Sequence, residues 1–179
     1  MIRYPVATKN DLDSVAKLFL DVYSGFLRKR FRKLPSKEFV KDVMELYLDA
    51  AEQGFILAKD NSKVIGFVCG VKSVISLWKQ AIKPKRILKF FFTPRQMFIM
   101  PPSLGHVFHA HVPLMGVSKK YRMKGIGLML SDKAIDFFRK NKIRIMYFQI
   151  PNSLVDTYVK HGCEILRRKK SWSIMRRAV

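Results

Sequence analysis

Residues 119–130 read KKYRMKGIGLML. Gly125 and Gly127 stand where a cationic run gives way to an apolar helical pattern, although glycine inside a helix costs about 1 kcal/mol relative to alanine. Glycines at that place leave main-chain N–H groups bare. The first amides of a helix have no partner within it, and the helix dipole is positive there. Lys119, Lys120, Arg122 and Lys124 surround them. The chemistry that suits this stretch is the grip of a bulky anion such as a pyrophosphate. Two other phosphate loops are excluded, because no GxGxxG opens the helix and neither GxxxxGKS nor GxxxxGKT occurs.

The whole chain supports an anionic partner. It carries 35 Lys and Arg against 13 Asp and Glu, a formal net charge of +22 over 179 residues. Between Asp60 and Asp132 there is no acidic residue, while twelve Lys or Arg fall in that window. Such a field draws nucleotides, nucleic acid or an acidic membrane face. The apolar share of 49% argues against disorder. No apolar run approaches the roughly 18 residues needed to span a bilayer, and the N-terminus lacks the apolar stretch of a secretion signal. Cys69 and Cys163 form neither a disulfide framework nor a metal spacing, so two buried thiols, no metal site and a reducing cytoplasm are expected.

The elements that must position the turn follow from periodicity. RYPVA reads as a short strand. Asn10 is the expected cap of a first helix carrying Leu12, Val15, Leu18, Phe19 and Val22. Ser36 is the expected cap of a second, with Phe39, Val43, Leu46 and Tyr47 on its apolar face. Phe55–Ala58 and Val64–Val71 form a hairpin around Asp60, Asn61 and Ser62. A β-rich run ends at Val117, a helix follows over Gly125–Lys140, and IRIMYFQI is a buried strand stopped by Pro151. SLVDTYVKHG is a short helix closed by Gly162, and one or two strands end the chain. The prediction is one α/β domain over residues 1–179, a mixed central sheet flanked by helices.

The spacing Arg122, two residues, Gly125, one residue, Gly127 resembles the acyl-CoA signature of the GNAT family of N-acetyltransferases. The valine-ended strand before it, the buried strand after its helix, Asn152 and the segment TYVKHGCE fit the same family. The resemblance implies an acetyl-CoA-dependent N-acetyltransferase with an acyl-CoA cleft between two splayed strands, here those ending at Val117 and Ile150. It implies pantetheine contacts at Met115 and Val117, with Gly116 allowing a bulge that starts the splay. It puts the pyrophosphate on Arg122, Met123, Lys124, Gly125, Ile126 and Gly127, and gives Asn152 a contact to the cofactor arm. Tyr158 takes the place of the tyrosine that protonates the leaving thiolate. Many relatives carry a glutamate base on the strand before the loop; none is present here. His111 and His109 are the candidates instead, on the expectation that both share a strand face with Val117. Acetyl-CoA and an amine acceptor are thus the expected partners, an amino sugar or small-molecule amine suiting the positive field.

About thirty residues separate Val71 from His106, rich in cations and aromatics and broken by prolines. This unusual insert, at about 73–105, has three readings: a lid over the acceptor site, a patch on anionic membrane, or a dimer or RNA contact. A different class of function stays open beside the enzyme: a basic membrane- or nucleic-acid-binding module on the same fold with little or no catalysis.

Overall fold

The computed structural model describes residues 1–31, 33–83 and 108–179. Seven strands form one sheet in the order β1-β2-β3-β4-β5-β7-β6. They are β1 (Ile2–Arg3), β2 (Phe55–Asp60), β3 (Lys63–Val71), β4 (Ala110–Val117), β5 (Ile145–Pro151), β6 (Glu164–Arg168) and β7 (Trp172–Ala178). All neighbours run antiparallel except β4 and β5, which are parallel. The helices are α1 (Leu12–Phe31), α2 (Lys37–Ala51), α3 (Val74–Ala81), α4 (Ile126–Lys140) and α5 (Val155–Lys160).

Two apolar layers sandwich the sheet. On one face α1 and α2 bury Val15, Phe19, Val40 and Tyr47 against Phe55, Phe67 and Leu114. On the other, α4 lays Ile126, Leu130, Ala134 and Phe138 on Ile65, Val68, Met146 and Phe148. β2 serves both layers with alternate residues, Phe55 and Leu57 on one side and Ile56 and Ala58 on the other.

Several local signals hold. Ser36 caps α2, accepting from the Phe39 N–H at 3.2 Å. Asn61, with φ 53°, turns the β2–β3 hairpin between Asp60 and Lys63. Gly162, with φ 77°, closes α5. The start of the first helix differs. A single turn over Lys9–Asp11 precedes α1, and Thr8 rather than Asn10 begins it. The Thr8 N–H and hydroxyl both donate to the Asp11 carboxylate at 3.0 Å. Burial alone would raise the Asp11 pKa, but hydrogen bonds from Lys59 and Thr8 outweigh it and hold the carboxyl below its usual range.

The insert begins inside the fold. Val74 and Leu77 of α3 are buried, Leu77 in the α1–α2 layer, and Ser73 caps the helix. The expected start at residue 73 thus falls on a core helix. The lid, membrane, dimer and RNA readings concern residues 84–107, which lie outside the described residues. No helix among the described residues is long and apolar enough to cross a membrane.

Candidate active site

β4 and β5 pair at three positions only: Ala110 with Met146, His111 with Tyr147, Val112 with Phe148. Beyond them β4 runs on to Val117 and β5 to Pro151 without pairing, so the two strands part. The cause lies in β4. Between Cys69↔Leu114 and Val71↔His111, β3 advances two residues and β4 three. This is a bulge at Val112–Pro113. Counting back from Leu114, which is paired with β3, Pro113 turns the missing donor of a proline toward β5. The expected role of Gly116 is corrected accordingly. It is regularly paired with Phe67, and a Cβ there would lie 3.0 Å from the Phe67 ring and 3.1 Å from Val22. Its smallness serves packing under α1.

The bulge also corrects the facing of the histidines. Val112, Met115 and Val117 all join the α4 layer, a step of three and then two. His111 therefore faces the α1–α2 side, opposite Val117. It is 3% exposed, and its ring centroid lies 5.6 Å from that of Tyr147, its partner across the strands. His109 precedes the strand, is exposed, and meets Tyr147 edge-on at 5.1 Å. Tyr147 escaped the sequence reading because a buried-strand pattern does not show which of its residues stands opposite His111.

Past the bulge the main-chain groups of Met115 and Val117 point toward the opening, by alternation with Gly116 and Leu114. Those of Met115 are engaged. The Tyr23 hydroxyl donates to the Met115 carbonyl at 2.8 Å, and the Met115 N–H reaches the same oxygen at 3.4 Å. Tyr23 stacks on Phe19, one turn before it, with centroids 4.6 Å apart. Burial pushes its phenol up to about 12, and nearby Tyr158 adds to the rise. The Val117 carbonyl accepts from Arg122 Nε at 3.1 Å, so Arg122 ties the turn to the strand end.

Tyr158 comes from the opposite side. Its hydroxyl lies 3.7 Å from Met115 Sδ, its ring packs on Phe148 at 5.3 Å, and burial raises its pKa, with Cys163 contributing. Tyr23, Tyr158 and Met115 thus converge where the strands separate. Asn152 does not join them. Its Nδ2 donates to the carbonyls of Lys169 at 2.8 Å and Lys170 at 3.3 Å, and its Oδ1 accepts from Ser173 Oγ at 2.8 Å. With both amide hydrogens committed, it pins the β6–β7 turn in place of the expected contact to a cofactor arm.

The glycine turn lies at the end of β4. Met123 and Gly125 are left-handed, with φ 61° and 76°, and α4 begins with no side-chain cap. Alternating handedness curls successive amides into a concave cup suited to anions. Lys119, Lys120, Arg122 and Lys124 are all exposed around it. Lys124 is placed by its neighbour: its ammonium sits 5.5 Å from the Tyr121 ring centroid, and the Tyr121 hydroxyl donates to Asp60 at 3.1 Å. Ile126 anchors the helix start in the α4 layer, and a Cβ on Gly127 would stand 3.6 Å from Met115 Cε. The arrangement brings together a strand edge that does not pair with β5, a helix start without a side-chain cap, and the phenols of Tyr23 and Tyr158 at the junction.

Known proteins share this fold. The sequence profile of the Acetyltransferase (GNAT) family matches residues 17–162. An uncharacterized N-acetyltransferase of Methanocaldococcus jannaschii, MJ1207, is 24% identical over 169 residues, which is 92% of this chain and 62% of that protein. The chain therefore spans about three-fifths of the length of that relative. Among solved structures, the PaiA N-acetyltransferase of Thermoplasma acidophilum in complex with coenzyme A superposes with a TM-score of 0.64 at 14% identity, over 100% of this chain and 99% of that one. A ribosomal-protein-alanine N-acetyltransferase of Brucella melitensis gives 0.63 at 18% identity, over 100% and 99%. At these identities the structural likeness is one of fold, and it agrees with the profile match over most of the chain. The chain belongs to the GNAT acetyltransferase family.

Proposed function

We propose that this protein is an acetyl-CoA-dependent N-acetyltransferase that moves an acetyl group to an amine by direct attack. The observation that carries the reading is the abrupt end of β4–β5 pairing at Val112–Phe148, with the uncapped, glycine-bearing start of α4 at the far end of β4. A pantetheine arm adds along the open β4 edge as an extra strand would. The first amides of α4 and the surrounding cations suit the diphosphate, and Gly125 and Gly127 present no side chain to hold it away.

In the reaction the amine nitrogen bonds to the thioester carbonyl carbon and the C–S bond breaks. His111 is the residue proposed to take the amine proton, imidazole being the side chain most often used for that task. It lies one rung before the strands part, on the face where α1 and α2 stand. The Val117 N–H, facing the opening, is the proposed donor to the carbonyl oxygen as it gains negative charge. Tyr158, kept protonated by burial, supplies a proton to the departing thiolate. For the acceptor, an amino sugar or small-molecule amine fits a chain of net charge +22 better than a polycation, which it would repel.

Thermal melting with and without acetyl-CoA tests the reading. A ligand that binds only the folded state adds about 2.7 kcal/mol at one hundred times its Kd. An unmoved melting temperature at millimolar acetyl-CoA would reject it. A second reading, a basic nucleic-acid- or membrane-binding module, draws on the exposed Arg167, Arg168, Lys169 and Lys170 at the β6–β7 turn. Steeply salt-dependent RNA or anionic-vesicle binding without an acetyl-CoA shift would favour it.

A further inference from the structure

Gln149 carries a buried amide nitrogen with nothing to bond. Among the described residues its Nε2 is the buried side-chain polar atom without a hydrogen-bond partner. A shielded, unpaired amide is destabilising, and native proteins rarely keep one without a use. Its location suggests the use. Gln149 is the first residue of β5 after the last β4–β5 rung, Val112–Phe148. Alternation along β5 separates it from Met146, Phe148 and Ile150, which enter the α4 layer, and puts it on the face of Tyr147. His111 shares that face one strand away. On its other side β5 is paired normally, Gln149 with Ile174 of β7, so no strand irregularity explains the stranded amide.

We propose that the Gln149 amide binds the acceptor substrate, donating from Nε2 to an oxygen carried beside the reactive amine. This rests on the acetyltransferase reading above and narrows its substrate class to oxygen-bearing amines: amino alcohols, amino sugars or amino-acid amides. The physical logic is that of a site built around a polar partner. An amine lacking the oxygen leaves the amide desolvated and unpaired, and is rejected on that account. The donor arm lies along β4 and the turn before α4, away from this face, so the amide serves the acceptor.

The test compares the wild-type protein with Gln149→Met, a change that keeps length and removes polarity. Without ligands, the variant should melt at the same temperature or higher, because a buried unpaired group is lost. A clearly lower melting temperature would show that the amide supports the fold and would overturn the assignment. Thiol release from acetyl-CoA is then measured with ethanolamine, glycinamide, glucosamine and, lacking oxygen, propylamine. Wild type should favour at least one oxygen-bearing amine over propylamine by tenfold or more in kcat/KM, and Gln149→Met should erase that preference with unchanged acetyl-CoA affinity. Equal or absent turnover of all four amines by the wild type overturns the proposal, as does a variant that keeps the preference or loses acetyl-CoA affinity. Failure of acetyl-CoA to stabilise the wild type removes the underlying enzyme reading, whereas stabilisation without selectivity removes only this one.

Discussion

The Tyr23 hydroxyl and the main chain of Met115 form a closed pair: the phenol donates to the carbonyl at 2.8 Å, and the amide of the same residue returns to the phenol oxygen at 3.4 Å. A helix side chain thus engages the two strand groups that the family resemblance assigns to a pantetheine arm. If the arm takes the Met115 N–H, it must displace Tyr23.

Tyr23→Phe should therefore cost the unliganded fold about 1 kcal/mol, the usual net worth of such a hydrogen bond. It should also tighten coenzyme A binding several-fold, since the arm no longer competes. Calorimetry that shows unchanged or weaker affinity would mean that the arm leaves Met115 alone and uses Val117.

Alkaline stability offers a separate check on that phenol. Its folded pKa of about 12 stands above the ordinary tyrosine value of about 10. Below pH 10 both states hold the proton, and the contribution is fully present. Between pH 10 and 12 the unfolded chain ionises first, so stability falls as pH rises. The loss traceable to Tyr23 reaches roughly 2–3 kcal/mol by pH 12, at about 1.36 kcal/mol per pKa unit. Tyr47 and Tyr158 shift in the same direction and add to the slope. Denaturant midpoints measured from pH 9 to 12 should decline less steeply in Tyr23→Phe than in the wild type; parallel slopes would contradict the buried phenol.

Gly127→Ala separates binding from folding. A Cβ there meets Met115 Cε at 3.6 Å and Val117 Cγ2 at 4.0 Å, both ordinary contacts. Alanine favours the helix by up to about 1 kcal/mol. The unliganded protein should thus melt slightly higher while coenzyme A affinity drops tenfold or more. Gly125→Ala is the contrast, because φ 76° strains any side chain whatever the space. A Gly127→Ala protein with full affinity would mean that no diphosphate rests on the start of α4.

For the proton transfers, Tyr158→Phe should lower kcat by tenfold or more with little change in acetyl-CoA Kd. Because burial raises the Tyr158 pKa, its alkaline limb in the pH–rate profile should lie above pH 10 and vanish in the variant. His111→Gln should likewise lower kcat by tenfold or more while acetyl-CoA Kd is retained. Wild-type kinetics from either variant would clear the residue of its role.

Asn152→Ala should act on stability. It strips the Lys169 carbonyl and the fully buried Ser173 of their partners. A loss of about 1–3 kcal/mol is expected, read by chemical unfolding, with acetyl-CoA affinity retained to the extent that the fold survives. Intact stability with lost affinity would restore the cofactor contact.

Much of the fold was legible because it rests on local rules. The helix expected over Gly125–Lys140 stands at Ile126–Lys140, with Ile126, Leu130, Ala134, Phe137 and Phe138 all buried. Ser36 declared its cap, and Asp60, Asn61 and Ser62 declared their hairpin. The glycine turn was legible because its signal is chemical and contiguous. What escaped was set by partners distant in sequence. The facing of His111 depends on one extra residue in β4 measured against β3, a matter of register. Pro113 inside a strand was the available hint. Asn152 looked available because the hairpin that takes up its amide lies seventeen and eighteen residues further on. Tyr23 was missed beside Val22 because both pack in the α1–α2 layer, and nothing in the helical stripe showed that its hydroxyl reaches Met115, 92 residues on.

Pro113 has one more consequence. Because its nitrogen has no hydrogen to offer β5, the chain's own covalent structure omits a rung where the parallel ladder ends. The parting of β4 from β5 is in that respect written into the polypeptide.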